Sequence, residues 1–328
     1  MSCLEDDALL DYLAGRLDGA ATARAREHVA RCPACHAIAS DLVLSAAASV
    51  QTPRAVRAAS YELVPGALLA GDYELEAPLG EGAMGVVWSA KQRASGERVA
   101  IKLVKGFDRE ARRRFVREVK VAAALVHPSL VRVVQVLEDV EAGCPALVLE
   151  LLEGHSLAAE LAAGPMDVER ARAVAHSIAT ALAYVHSAHI VHRDIKPANV
   201  FLTPRGLKVL DLGLATVTAA GALPSSRITR TGEAVGTPAY MAPEQLGGAC
   251  GEAAADVWSL GVTLHESLAG SLPFRAPTPA ALLRAIMHSS PAPLQAPRAL
   301  CELVLSMLAV SPAARPSMAE VAARLAGA

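Results

Sequence analysis

The sequence predicts an α+β chain in three parts: a small all-α module over residues 1–45, a linker over 46–71, and a two-lobed unit over 72–328 with a β-rich first lobe and a helical second one. Three observations carry this. Leu9, Leu10, Leu13 and Leu17 recur at helical spacing near the start. From Asp72 the pattern turns to short alternating or apolar runs separated by glycine-rich turns. Beyond residue 155 helical periodicity dominates.

In chain order, a first helix over 5–17 stops at Asp18-Gly19, and a second runs from about Ala20 to Arg31. Pro33 disfavours helix in the residue before it but suits the first turn of a third helix, which runs to about Ser49. Pro53, Pro65, Gly66 and Gly71 break any periodicity, hence the linker. Strands are expected at Tyr73–Glu76, Gly85–Ala90, Arg98–Val104, Val131–Glu138 and Ala146–Leu151, with a long helix over Arg109–Leu125 between the third and fourth. Two short strands interrupt the helical lobe near Val200–Leu202 and Lys208–Leu210.

The composition narrows the function classes. A chain of 328 residues with 53% hydrophobic and 3% aromatic residues is alanine-rich, which favours helices packed through small side chains. A net charge of -2 argues against direct binding of nucleic acid or an anionic membrane. No apolar run approaches membrane-spanning length, and Met1–Asp7 lacks the basic flank of a signal peptide, so a cytoplasmic location is expected. Six scattered cysteines do not make a disulfide framework.

Leu79-Gly80-Glu81-Gly82-Ala83-Met84-Gly85-Val86-Val87 places a glycine loop between two strands, where bare backbone amides can approach phosphate. Taken alone the signal is weak, because such runs also occur in plain hairpin turns. Further along come Val99-Ala100-Ile101-Lys102 on a strand, and Glu118 on the long helix. His192-Arg193-Asp194-Ile195-Lys196-Pro197-Ala198-Asn199, Asp211-Leu212-Gly213 and Ala242-Pro243-Glu244 follow in that order. Residues 72–328 thereby resemble the eukaryotic-type protein kinases, and Gly236–Glu244 resembles their bacterial members most.

The resemblance implies a bilobal kinase fold and transfer of the γ-phosphoryl group of Mg-ATP to a protein hydroxyl. It implies that Lys102, positioned by Glu118, holds the α- and β-phosphates, and that Asn199 and Asp211 bind Mg²⁺. Asp194 would take or orient the hydroxyl proton, and Lys196 would stabilise the transferring group. Leu79, Gly80, Gly82, Gly85, Val87, Ala100 and Lys102 would line the ATP site, with Glu150 and Leu152 meeting adenine through backbone atoms and Leu149 guarding the back pocket. Lys196 and Thr237 resemble serine/threonine rather than tyrosine kinases. Leu212 departs from the family's phenylalanine and bears on basal activity.

Ser225, Ser226, Thr229 and Thr231, flanked by Arg227 and Arg230, read as a solvated loop or as an activation segment. Because Arg193 precedes Asp194, and such arginines pair well with phosphate, autophosphorylation is expected at Thr231 or Thr229, through a transient dimer. The basic run Arg109, Arg112, Arg113, Arg114 and Arg117 reads as a solvated helix face.

At the other end, His28, Cys32 and Cys35 form H-x3-C-x2-C. His28 and Cys32 share one helical face, and Cys35 can return after Pro33. A structural zinc needs a fourth ligand, for which Cys3 is the candidate, with His36 or an acidic group as substitutes. Residues 1–45 also resemble the zinc-binding domain of bacterial anti-sigma factors, which implies a module that binds a transcription factor or another protein. Two rival readings stay open. One is a nucleotide-binding scaffold that transfers nothing; the other is an anti-sigma-type regulator with an accessory kinase region.

Overall fold

The computed structural model describes residues 19–32, 63–82, 85–104, 109–140, 144–211, 238–246, 252–276 and 278–327. Cys3, Cys35, His36, Ala83, Met84, Leu212, Thr229, Thr231 and Thr237 lie outside the described residues.

Helix α1 (Gly19–Arg31) carries the second helical stretch of the N-terminal module. The small lobe is a six-stranded antiparallel sheet in the order β1-β2-β3-β4-β6-β5. Its strands are β1 (Leu68–Leu69), β2 (Tyr73–Gly82), β3 (Gly85–Gln92), β4 (Arg98–Val104), β5 (Val133–Val140) and β6 (Cys144–Glu150). The stretch expected to be linker therefore ends inside the sheet. Leu68 and Leu69 pair with Glu74 and Tyr73, and Leu69 is buried with Leu75, Trp88 and Ile101. The glycines and Pro65 turn the chain back on itself, so Leu69 finds a core despite the absence of local periodicity, while Leu68 stays exposed.

Helix α2 (Arg109–Ala123) crosses the sheet and packs Phe115, Val116 and Val119 against Val104 and Leu147. These apolar residues fall on one stripe at 3.6-residue spacing, and Arg113, Arg117, Glu118 and Lys120 are exposed.

The large lobe opens with β7 (His155–Ser156) and α3 (Leu157–Leu161), whose first turn is capped by the Ser156 hydroxyl. Helix α4 (Val168–Ser187) is capped by Asp167, which accepts from the Arg170 amide at 2.9 Å. Strands β8 (Val200–Thr203) and β9 (Gly206–Val209) pair with each other, and β8 pairs with β7. Then come α5 (Pro243–Leu246), α6 (Ala253–Ala269), α7 (Pro279–His288), α8 (Arg298–Met307) and α9 (Met318–Gly327).

Helix α6 is buried on nearly every side from Ala255 to Ser267, as an apolar helix without a polar face must be. It ends at Gly270, a left-handed residue (φ 64°) whose amide closes the last turn on Glu266. Around α6 gather Ile178 and Leu182 of α4, Leu303 and Met307 of α8, and Val321 and Leu325 of α9, all essentially inaccessible to water. No helix among the described residues is long and apolar enough to cross a membrane.

Candidate active site

A cleft of about 780 Å³ separates the lobes. Its roof is the β2–β3 hairpin, where Gly80 faces Val87 and Gly82 faces Gly85. Gly85 has a φ of 146°, and a Cβ there would sit 1.8 Å from the Leu103 carbonyl oxygen. No other residue fits without parting β3 from β4.

Ala100 and Lys102 lie two apart on β4, so both project to the same side of the sheet, and both are buried in the cleft wall. Leu79, Gly80, Gly85, Val87, Glu150 and Leu152 line the same space, and Gly82 pairs with Gly85 at the hairpin end. The Glu150 amide is bonded to the Arg132 carbonyl at 3.0 Å, which leaves the Glu150 carbonyl as that residue's backbone group for a base. Leu149 lines both the cleft and a void of about 20 Å³ behind it, shared with Val119, Ala122, Val131 and Leu147. Val131, Phe201 and Leu210 add apolar lining. Local sequence does not mark these three, because contact order rather than spacing brings them there.

At the inner end, Asp194, Lys196, Asn199 and Asp211 converge. Lys196 Nζ donates to both Asp194 oxygens at 3.0 and 2.9 Å. Asn199 Nδ2 donates to the Asp194 carbonyl at 2.7 Å and to Oδ2 at 2.9 Å, so its own amide oxygen remains to face a cation. That oxygen and the Asp211 carboxylate are hard donors around one cleft, a set that fits Mg²⁺.

One expected contact is absent. Lys102 pairs with Asp211 at 2.6 Å, while Glu118 is exposed on α2. An ammonium that is 9% exposed takes the carboxylate sharing its shielded cleft, where the attraction is least screened. Glu118 can reach Lys102 only if α2 turns inward.

The loop that presents Asp194 is held from below by a residue with no local signature. Asp256 on α6 is fully buried, and its carboxylate accepts from the His192 amide at 2.8 Å, the Arg193 amide at 2.7 Å and His186 Nε2 at 2.8 Å. An acid in the first turn of a largely apolar helix is the clue in the sequence, since a carboxylate is buried only when its hydrogen bonds are met. The grip matters because Arg193 sits in the left-handed region at φ 65°, as does Asp211 at 61°. His192 joins the two: Nε2 donates to the Leu210 carbonyl at 2.7 Å, and Nδ1 accepts from the Asp194 amide at 3.3 Å. Below the hinge, burial and then the Lys208 ammonium push the His127 imidazole below its usual range.

Of the zinc candidates, His28 and Cys32 are described. The Cys32 amide bonds to the His28 carbonyl at 2.8 Å, one helical turn away. The His28 ring is buried and its Nε2 has no hydrogen-bond partner among the described residues. A buried imidazole nitrogen left orphaned one turn from a thiol fits a metal ligand. No cluster of three or more His, Cys, Asp or Glu metal donors occurs among the described residues.

Comparison with known proteins agrees with this geometry. Residues 73–324 match the family described as "Protein kinase domain", and residues 6–36 match one described as "Putative zinc-finger". The serine/threonine-protein kinase pkn2 of Myxococcus xanthus is 38% identical over 285 residues, covering 81% of this chain and 34% of the relative. The DNA damage-responsive serine/threonine-protein kinase RqkA of Deinococcus radiodurans is 40% identical over 216 residues, 65% of this chain and 32% of the relative. The chain thus spans about a third of the length of these relatives. Among solved structures, the Mycobacterium tuberculosis PknI kinase domain superposes with a TM-score of 0.62 at 27% identity, covering 81% of this chain and 98% of that one. Rad53 in complex with AMP-PNP gives a TM-score of 0.64 at 27% identity, covering 77% and 64%.

Proposed function

Because the chain belongs to the protein kinase family, we propose that it is a serine/threonine protein kinase that transfers the γ-phosphoryl group of Mg-ATP to protein hydroxyls. The observation that carries this is the convergence of Asp194, Lys196, Asn199 and Asp211 at the inner end of a cleft roofed by a glycine hairpin.

In this reading the substrate hydroxyl oxygen attacks the γ-phosphorus, its proton passes to Asp194, and ADP leaves. Lys196, bonded to both Asp194 oxygens, holds that carboxylate in place and adds positive charge where the transferring group develops negative charge. Asn199 and Asp211 would hold Mg²⁺, which supplies charge neutralisation on the phosphates. For this, Lys102 exchanges Asp211 for the nucleotide phosphates, and α2 turns inward to bring Glu118 behind it. Incorporation of label from γ-labelled ATP and Mg²⁺ into phosphoserine or phosphothreonine of a generic acceptor tests the reading. Nucleotide binding without incorporation would instead make the chain a scaffold.

The finer parts of the proposal have their own tests. The activation segment is autophosphorylated at Thr231 or Thr229, because Arg193 beside the catalytic aspartate can pair with a phosphate. Mass spectrometry after incubation with Mg-ATP should show one of the two modified, and Asp194→Asn should show neither. Residues 1–45 form a domain that binds a structural zinc and a protein partner, with His28 and Cys32 as two of its ligands. One equivalent of zinc per chain is expected by elemental analysis. His28→Ala and Cys32→Ser should each lose most of it, while cleft nucleotide affinity stays unchanged.

A further inference from the structure

Between the lobes runs a seam that neither the nucleotide contacts nor the catalytic loop account for. The segment 129–132, which precedes β5, is bonded on both sides. Toward the large lobe, Val131 donates to the Val209 carbonyl at 3.0 Å and Val209 donates to the Ser129 carbonyl at 2.8 Å. Toward the small lobe, Glu150 donates to the Arg132 carbonyl at 3.0 Å. Two side chains close this seam. Glu150 Oε1 accepts from the Arg132 amide at 2.8 Å and pairs with Lys208 Nζ at 2.7 Å, and the same Nζ donates to the Leu130 carbonyl at 3.2 Å.

The placement of the two partners gives the pair its meaning. Glu150 is the last residue of β6, where the chain passes from the small lobe to the large one, and it lines the cleft. Lys208 lies on β9, opposite Phe201 of the cleft lining and three residues before Asp211. Both side chains are about four-fifths shielded (21% and 23% exposed), so their attraction is screened less than that of an open surface pair.

We propose that the Glu150–Lys208 ion pair is a positioning clamp, which registers the adenine end of the cleft against the strand leading to Asp211 and so sets nucleotide affinity. The inference rests on the kinase reading above but concerns residues that do not touch the reacting atoms. Nucleotide must meet the hinge and Asp211 together, and misregister of one end weakens the whole contact. The Leu130 carbonyl and Arg132 amide join the clamp to the backbone, so it acts on strands rather than on a mobile tip.

The test uses the full chain with Lys208→Met, Lys208→Arg and Glu150→Gln. Each is assayed for the KM for ATP, kcat, the Kd for a fluorescent ADP analogue, and thermal melting. Lys208→Met is expected to raise the KM and the Kd on the order of tenfold with kcat within about twofold, and Lys208→Arg to restore most of the loss. Wild-type KM and Kd in Lys208→Met, or a loss in Lys208→Arg as large as in Lys208→Met, overturns the clamp. Should Lys208→Met fail to fold, Glu150→Gln keeps the shape and removes the charge, and the same two constants decide. Absence of phosphate transfer by the wild-type protein would refute the kinase reading, whereas the Kd comparison would still judge the clamp.

Discussion

Replacing Asp194 by asparagine is expected to lower phosphate transfer by about 10² to 10⁴-fold while leaving nucleotide affinity and the melting temperature close to wild type. Asparagine keeps the size and one acceptor oxygen but cannot accept a proton. It also turns an amide toward either Lys196 Nζ or Asn199 Nδ2, both of which now donate to the carboxylate. The proposed ATP contacts, from Leu79 to Leu152, should be untouched, since the substitution leaves the rest of the cleft lining in place. Label incorporation measured beside the binding of a fluorescent nucleotide separates the two quantities. Equal transfer by the variant and the wild type would remove Asp194 from the chemistry.

Asp256→Ala should be the most damaging single change to the fold of the site. It strips three donors, the His192 and Arg193 amides and the His186 ring, of their common acceptor in a place closed to water. Unmet buried donors and the cavity together cost on the order of 3–5 kcal/mol, or a drop of roughly 10 °C in melting temperature for a domain of this size. The loss of activity should exceed what the melting curve accounts for. Without two amide anchors, Arg193 has no reason to hold a left-handed backbone, and Asp194 moves with it. Asp256→Asn keeps one acceptor oxygen and sets its amide against another donor, so an intermediate loss is expected in both measurements. A melting temperature for Asp256→Ala within a degree or two of wild type would show that solvent or a rearranged loop can replace the carboxylate.

These two aspartates also show what could be read from the chain alone. Asp194 is legible because its neighbours His192, Lys196 and Asn199 lie within a few residues, so fixed local spacing carries the pattern. The same holds for Lys102 on its strand and for the glycine hairpin. Asp256 has the same importance for geometry but acts across 64 residues on His192, and no local spacing records that. The Lys102–Asp211 pair of this structure is not legible for a related reason. Glu118 and Asp211 are both acids at suitable places in the order, and only the position of α2 decides between them. Leu68 and Leu69 were hidden differently: a two-residue strand between glycines and a proline is too short for periodicity to show. The Glu150–Lys208 pair could not be seen at all, since each residue looks like an ordinary strand terminus or exposed lysine.

The chain has only two tryptophans, and the fold assigns them one to each lobe. Trp88 lies on β3 within the small-lobe core, and Trp258 lies on α6, stacked on Phe274 with Arg315 over its ring. Each lobe therefore carries its own buried indole emitter. Removing either one turns the other into a spectroscopic reporter of a single lobe, so the order in which the two halves loosen under denaturant can be read from intrinsic fluorescence without any attached dye.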